Sequence, residues 1–195
     1  MAKKISPAAK VSVKPVEKKL RVACIGAGGI ANAHLTEFAK MKDVEIIGLA
    51  DPIMDSMVKK AEQFKIPLDN CFTDYRAMLA KLKPDAVSVC SPNGAHEENT
   101  IAALEAGAHV IVEKPMAMNA VQSQKMIDIA KKAKRKLVIG FQYRYDGRSA
   151  YLREAVKNGT FGDILYARVQ ALRRRGIPNW GVFGRKDLQG GGPMI

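Results

Sequence analysis

Apolar residues in this chain fall into short unbroken runs, each separated from the next by a stretch with helical spacing. The first run, LRVACIG from Leu20, ends on glycine and gives way to a helical stretch through about Lys42. VEIIGLAD (44–51) is the second, and PIMDSMVKKAEQF reads as a helix opening on Pro52, a favoured first-turn residue. A minor strand is predicted near Cys71-Phe72, then a helix from about Asp74 to Leu82. DAVSVCSP, HVIVEKP and KLVIGF are further strand-like runs. Between them lie two helices, HEENTIAALEAG, closed by Gly107, and NAVQSQKMIDIAKKAKR. Continuous apolar strands alternating with helices indicate a parallel sheet covered on both faces. The predicted fold class is α/β, a Rossmann-type doubly wound parallel sheet over residues 20–145.

Beyond residue 145 the period changes. Residues 147–158 have helical spacing and Asn158-Gly159 makes a turn. DILYARVQAL then alternates, with Leu165, Ala167, Val169 and Ala171 on one face and Tyr166, Arg168 and Gln170 on the other. That period belongs to a half-buried strand of an antiparallel sheet. Residues 146–195 are therefore expected to begin a second, α+β domain. No internal repeat is visible.

Composition adds limits rather than direction. A content of 47% hydrophobic and 26% charged residues over 195 positions suits a soluble globular protein with one well-cored domain and part of another. No apolar run approaches the roughly 20 residues that span a bilayer. The start, MAKKISPAAKVSVKPVEKK, is basic but lacks a signal peptide's apolar core, so a cytoplasmic protein with no membrane partner is expected. Residues 1–19 mix Lys, Pro and Val without period and read as a disordered tail.

The net charge of +13 raises nucleic acid as a partner. Its distribution argues against that. Much of it sits in the tail, in KKAKRK at a helix end where cations complement the dipole, and in Arg173-Arg174-Arg175. A solvated basic surface, favourable to anionic ligands, accounts for it. Cys24, Cys71 and Cys90 share no CxxC spacing and sit in strand-like surroundings. Buried reduced thiols are expected there, with no metal site.

The first strand-to-helix turn reads Gly26-Ala27-Gly28-Gly29-Ile30-Ala31, a G-x-G-x-x-A. Gly26 suits a tight turn, Gly28 a close approach to pyrophosphate, and Ala31 close packing of helix on strand. The helix N-terminus then faces the phosphates. Asp51 ends the second strand 20 residues after Ala31, the spacing of a ribose-binding acid, although it can also cap the next helix. An acid there repels a 2′-phosphate, so NAD is expected over NADP. At the end of the third strong strand, Ser91-Pro92-Asn93 offers hydrogen bonds near the cofactor, or simply a helix cap. His96 follows and suits a structural hydrogen-bonding role. Glu113-Lys114-Pro115 closes the next strand: a lysine there can bind a substrate hydroxyl, and partial burial lowers its pKa toward a useful range. A plain surface ion pair is the alternative.

Taken together, GAGGIA, Asp51, SPNGAHEENTIAALEAGAHVIVEKPMAMN and GFQYRY resemble the glucose–fructose oxidoreductase/inositol dehydrogenase (Gfo/Idh/MocA) family, from about Leu20 to the last residue. The resemblance implies a nicotinamide-dependent oxidoreductase acting on a sugar, cyclitol or related polyol, homo-oligomeric in its full-length form. It implies Lys114 as the active-site lysine, with Glu113, Ser91, Asn93 and His96 on the cofactor side and Gln142 and Arg144 near the nicotinamide or substrate. A non-catalytic NAD-binding module is the other reading; it would need the glycine loop and Asp51 but not Lys114. The resemblance further implies that a glycine run such as Gly190-Gly191-Gly192 leads to a helix bearing an aspartate and, four residues on, a histidine. The sequence reaches Ile195 before them. The expectation is an amino-terminal fragment that holds cofactor, shows little or no dehydrogenase activity, and associates through its exposed strand.

Overall fold

Six short strands, all parallel, carry the molecule. The computed structural model describes residues 18–172, 174, 181–182 and 184–190. Residues 1–17, Arg173, Arg175, Trp180 and Gly191-Gly192 lie outside the described residues, and with them the expectations for the tail and most of the glycine run. The strands are β1 (Leu20–Ile25), β2 (Val44–Ala50), β3 (Cys71–Phe72), β4 (Ala86–Val89), β5 (His109–Val112) and β6 (Leu137–Ile139). They lie in the order β3-β2-β1-β4-β5-β6. The direction of winding therefore reverses between β1 and β4, and ligands bind outside the carboxyl ends of the strands at such a switch point.

Helices α1 (Gly29–Lys40), α2 (Met54–Phe64), α3 (Tyr75–Leu82), α4 (His96–Glu105) and α5 (Ala120–Ala133) fill the connections. Successive side chains of a strand point to opposite faces, and the burial follows that rule. Cys24, Leu49 and Cys90 pack with Ala31 and Leu35 of α1 and Met57 and Ala61 of α2. Ile25, Val87, Val89, Val110 and Val112 pack on the other face with Met78, Leu104, Met126 and Ala130. Burying each leucine-sized side chain contributes roughly 1.5–3 kcal/mol, so the two clusters are the main source of stability. All three cysteines are buried and unpaired.

Caps explain where the helices begin. Asp74 accepts a hydrogen bond from the Arg76 N–H and Asn119 from the Gln122 N–H, ahead of α3 and α5. Helix α2 starts at Met54, not at Pro52. The Ile53 N–H donates to Asp51 Oδ1 at 2.9 Å, and this local turn delays the helix.

Helix α6 (Gly147–Lys157) forms as its spacing predicts, and a short helix α7 (Lys186–Gln189) follows later. The strand expected over 163–172 does not form: residues 164–172 carry no regular structure. Leu165 is 95% and Val169 92% exposed. The reason is the want of a neighbour. No strand follows β6 among the described residues, and an extended segment without a ladder partner gains neither hydrogen bonds nor a covered face. The antiparallel sheet of a second domain is accordingly not seen here.

Candidate functional site

At the switch point the chain is too crowded for any residue but glycine. Gly26 has φ +93°, and a Cβ there would lie 2.6 Å from the Cys90 carbonyl carbon and the Ser91 nitrogen. Both the backbone sign and the contact exclude a side chain. Gly28 and Gly29 are the opposite case: a Cβ on either would meet nothing within 4 Å. The space beside them is open. Gly28 caps α1 with no side-chain hydrogen bond, and the helix has no acid in its first turn, so its leading N–H groups and positive dipole end face that space. Ile30, in the same turn, is exposed.

Asp51 holds this loop in place. Its Oδ2 accepts the Ala27 N–H at 2.7 Å, while Oδ1 takes the Ile53 N–H. The carboxylate thus ties the glycine loop to the start of α2. Each oxygen keeps a further lone pair, so gripping the loop does not preclude a ribose.

After β4, the Ser91 hydroxyl is buried and has no hydrogen-bond partner among the described residues. Pro92 leads the short turn Asn93–Ala95. His96 is 1% exposed, with Nδ1 2.7 Å from the Pro115 carbonyl and Nε2 2.9 Å from the Ser91 carbonyl. It staples the turn after β4 to the turn after β5, which is the structural role. The Asn93 amide donates to the Gln189 carbonyl at 3.0 Å, so it anchors α7 rather than facing the open cleft.

After β5, Glu113 is buried and Lys114 exposed. The partial burial expected of Lys114 is therefore absent. Glu113 Oε1 lies 2.8 Å from His34 Nε2, and its Oε2 accepts the Lys114 backbone N–H at 3.2 Å. Burial pushes the Glu113 carboxyl up, but His34 together with the Lys114 N–H and charge outweigh it and hold the acid below its usual range. The hydrogen bond to Glu113 raises His34 against the opposing effect of burial. Val112 pairs with Ile139, so Gly140 runs abreast of Glu113, and a Cβ at Gly140 would lie 3.0 Å from Glu113 Oε1. The turn Gln142–Tyr145 continues from there. Gln142 and Arg144 are exposed, and the Arg144 guanidinium lies 5.0 Å from the centre of the Phe141 ring.

Sequence reasoning did not single out His34, Ser88 or the residues facing the glycine loop. His34 is three residues after Ala31 on α1, a helical spacing that places it over the sheet. Ser88 reads as one more residue of an apolar strand. Ser56, Lys59 and Lys60 of α2 line, with Ala27, Gly28 and Gly29, a cleft of about 650 Å³. A cavity of similar size, about 680 Å³, opens near Arg21, Phe38, Val44 and Phe64. That is the amino end of the strands, where such sheets do not bind ligands, so the cleft at the glycine loop is the candidate. Its open glycines and uncapped helix end, with Lys59 and Lys60 beside Asp55 on the facing wall, fit a dinucleotide.

Residues 20–141 match the family described as oxidoreductase family, NAD-binding Rossmann fold. The chain is 44% identical over 177 residues to D-glucoside 3-dehydrogenase of Escherichia coli, covering 90% of this chain and 50% of that protein. It is 33% identical to myo-inositol 2-dehydrogenase of Thermotoga maritima, over 77% of this chain and 44% of the relative. Among solved structures, the WlbA dehydrogenase of Bordetella pertussis, in complex with NADH and UDP-GlcNAcA, superposes with a TM-score of 0.71 at 25% identity. That match covers 76% of this chain and 42% of the other. The chain spans about half the length of the curated relatives it matches. It belongs to the Gfo/Idh/MocA family of oxidoreductases.

Proposed function

From membership of that family, we propose that the chain is the cofactor-binding part of an NAD-dependent dehydrogenase that oxidises a secondary alcohol of a sugar, cyclitol or related polyol. One observation carries the reading. An exposed lysine, Lys114, stands at the carboxyl edge of the sheet beside a buried carboxylate, across the switch point from an open glycine loop. A non-catalytic nucleotide-binding module has no use for that lysine.

In this reading Gly28, Gly29 and the first turn of α1 receive the pyrophosphate, and Asp51 accepts the adenosine ribose hydroxyls. Ser91 and Glu113 face the remaining polar groups of the cofactor. Bound NAD supplies the hydride acceptor. Lys114 hydrogen-bonds the substrate hydroxyl, orients the carbinol and helps its proton leave as the carbon–hydrogen bond gives up hydride. Glu113 holds the Lys114 backbone in position through its N–H; Gln142 and Arg144 approach the substrate from the neighbouring turn.

Asp51 favours NAD. Lys59, Lys60 and Ser56 beside the same loop favour a further phosphate, the case for NADP, while Asp55 in the same wall opposes it. Calorimetric titration with both cofactors decides between them. NAD(H) should bind more tightly, and Asp51→Ala should narrow the gap by roughly 1.5–3 kcal/mol, the value of a charge-assisted hydrogen bond. Equal or tighter binding of NADP(H) by the unmutated protein overturns the assignment. In any preparation with measurable turnover, Lys114→Met should reduce it by roughly 10²–10⁴-fold with NAD affinity nearly unchanged. A change within a few-fold would leave the module reading.

A further inference from the structure

Beneath the candidate site runs a buried polar chain that the reading above uses only at its end. His34 Nε2 meets Glu113 Oε1 at 2.8 Å, and its Nδ1 meets the Ser88 hydroxyl at 2.8 Å. The Ser88 hydroxyl in turn lies 3.4 Å from Cys90 Sγ. Ser88 is fully buried, and the His34 side chain is 13% exposed. A helix residue has thus been brought through one face of the sheet to the end of β5, with both ring nitrogens engaged. A plain core position would take an aliphatic side chain here, as Leu35 does next to it. Placing an imidazole between a carboxylate and a hydroxyl is worthwhile only if their orientation or charge matters.

We propose that His34 is a positioning residue for the cofactor site: it holds the Glu113 carboxylate through Nε2, is itself aligned by Ser88 through Nδ1, and by gaining or losing a proton sets the charge presented to the nicotinamide end of the cofactor. A carboxylate only accepts, so Nε2 carries a proton in both states. With the imidazole neutral, Ser88 donates to Nδ1; with the ring doubly protonated, Nδ1 donates to Ser88 and the hydroxyl proton turns toward Cys90. No rearrangement of heavy atoms is needed. The pair His34–Glu113 carries no net charge in the protonated state and one negative charge in the other.

The groups around His34 allow this. Just after β5 come Glu113 and, one residue on, Lys114; Ser88 lies on β4 and Cys90 just after it; Cys24 of β1 lies beyond Cys90. The hydrogen bond with Cys90 and burial both push the Cys24 thiol well up, so it stays protonated. Lys60 of α2 acts on Cys24 by its charge, and on α1 itself the neighbour is the Phe38 ring, edge-on at 6.2 Å. Glu113 is therefore the carboxylate to which His34 responds, with Cys90, lowered by its hydrogen bond with Cys24, adding to the upward push on His34.

The inference rests on the cofactor reading above and has a test of its own. The oxidised nicotinamide ring carries a positive charge that the reduced ring lacks, so a pair that turns negative favours NAD⁺ over NADH. The ratio of NAD⁺ to NADH affinity, measured by titration from about pH 6 to about pH 9, should rise by roughly 3- to 10-fold, the screened effect of one nearby charge. His34→Gln, which can still donate to Glu113, should bind both cofactors within a few-fold of the unmutated protein and show a flat ratio. Glu113→Gln should move the midpoint to lower pH, because the anion no longer favours the imidazolium; this variant decides the matter if His34→Gln does not fold. A flat ratio in the unmutated protein, a rise that persists in His34→Gln, or an unmoved midpoint in Glu113→Gln overturns the inference while leaving NAD binding intact. Failure of the unmutated protein to bind either cofactor overturns the cofactor reading itself, and this inference with it.

Discussion

Two stretches of this chain carry a strand-type pattern, one a continuous apolar run and one an alternation, and only the first becomes a strand. In β5 the pattern HVIV buries Val110 at 3% and Val112 at 0% exposure, between β4 and β6. In ILYARVQAL the alternating face leaves Leu165 at 95% and Val169 at 92% exposed, in a segment with no regular structure. Alternation states which residues would share a face. Whether a face exists depends on a neighbouring strand to complete the hydrogen bonds and a layer to cover the side chains. The candidate site residues follow the same division: Gly26, Asp51, Ser91, Glu113 and Lys114 all stand at the ends of strands that have both neighbours and cover.

Truncation of a leucine in each region should separate them most sharply. Leu35→Ala, at a fully buried position between α1 and the sheet, should destabilise the fold by about 3 kcal/mol. Leu165→Ala should change stability by less than about 0.5 kcal/mol. Denaturant unfolding measures both. A comparable loss at Leu165 would mean that the 164–172 segment is covered in solution and that the contrast is wrong.

Glycine makes the comparison in backbone terms. Gly26 and Gly159 both have positive φ, +93° and +74°, but only Gly26 has backbone against the position of a Cβ. Gly26→Ala should cost on the order of 2–4 kcal/mol, from the strained conformation and the overlap together. Gly159→Ala pays the conformational part alone, roughly 1 kcal/mol. Equal costs in parallel unfolding curves would show that the turn after β1 can relax away from Cys90.

The smallest expected effect concerns pH, and it too belongs to the ordered region. The folded state raises His34, so its contribution is full below the ordinary value of 6.5 and is lost as pH rises through the raised value. It lowers Glu113, whose contribution is full above the ordinary value of 4.5 and is lost as pH falls through the lowered one. The pair therefore adds most to stability between about pH 4.5 and 6.5. Melting temperatures of the unmutated protein and His34→Gln, compared across pH, should differ most in that window and converge above it. A difference that grows toward alkaline pH would contradict the assignment.

Much of the candidate site was legible because its residues lie at strand ends, and strand ends are marked in sequence by the switch from an apolar run to Gly, Asp, Ser or Glu. Asp51 stands out as a candidate by its spacing, and Lys114 by its place after β5. Two expectations were too simple. The Asn93 amide is taken by the Gln189 carbonyl, a contact 96 residues away in sequence that no local pattern announces. Helix α2 starts late because the Asp51 carboxylate turns back on the Ile53 N–H, a competition invisible in a reading that ranked Pro52 as the first helical residue.

By itself the sequence determined the succession of strands and helices over residues 20–145, the parallel sheet, the glycine loop with its acid, and the family. Each of these is written in short-range pattern: period, turn residues and fixed spacing, all of which follow from local backbone geometry and from which face must leave water. Only the tertiary structure decided that His34 of α1 would meet Glu113, just after β5, across 79 residues, that His96 would bridge two turns rather than face the open cleft, and that residues 164–172 would stay uncovered. Those outcomes depend on which distant groups come within hydrogen-bond or contact range once the strands are ordered, and an isolated stretch of sequence carries its own period but not the identity of its neighbour.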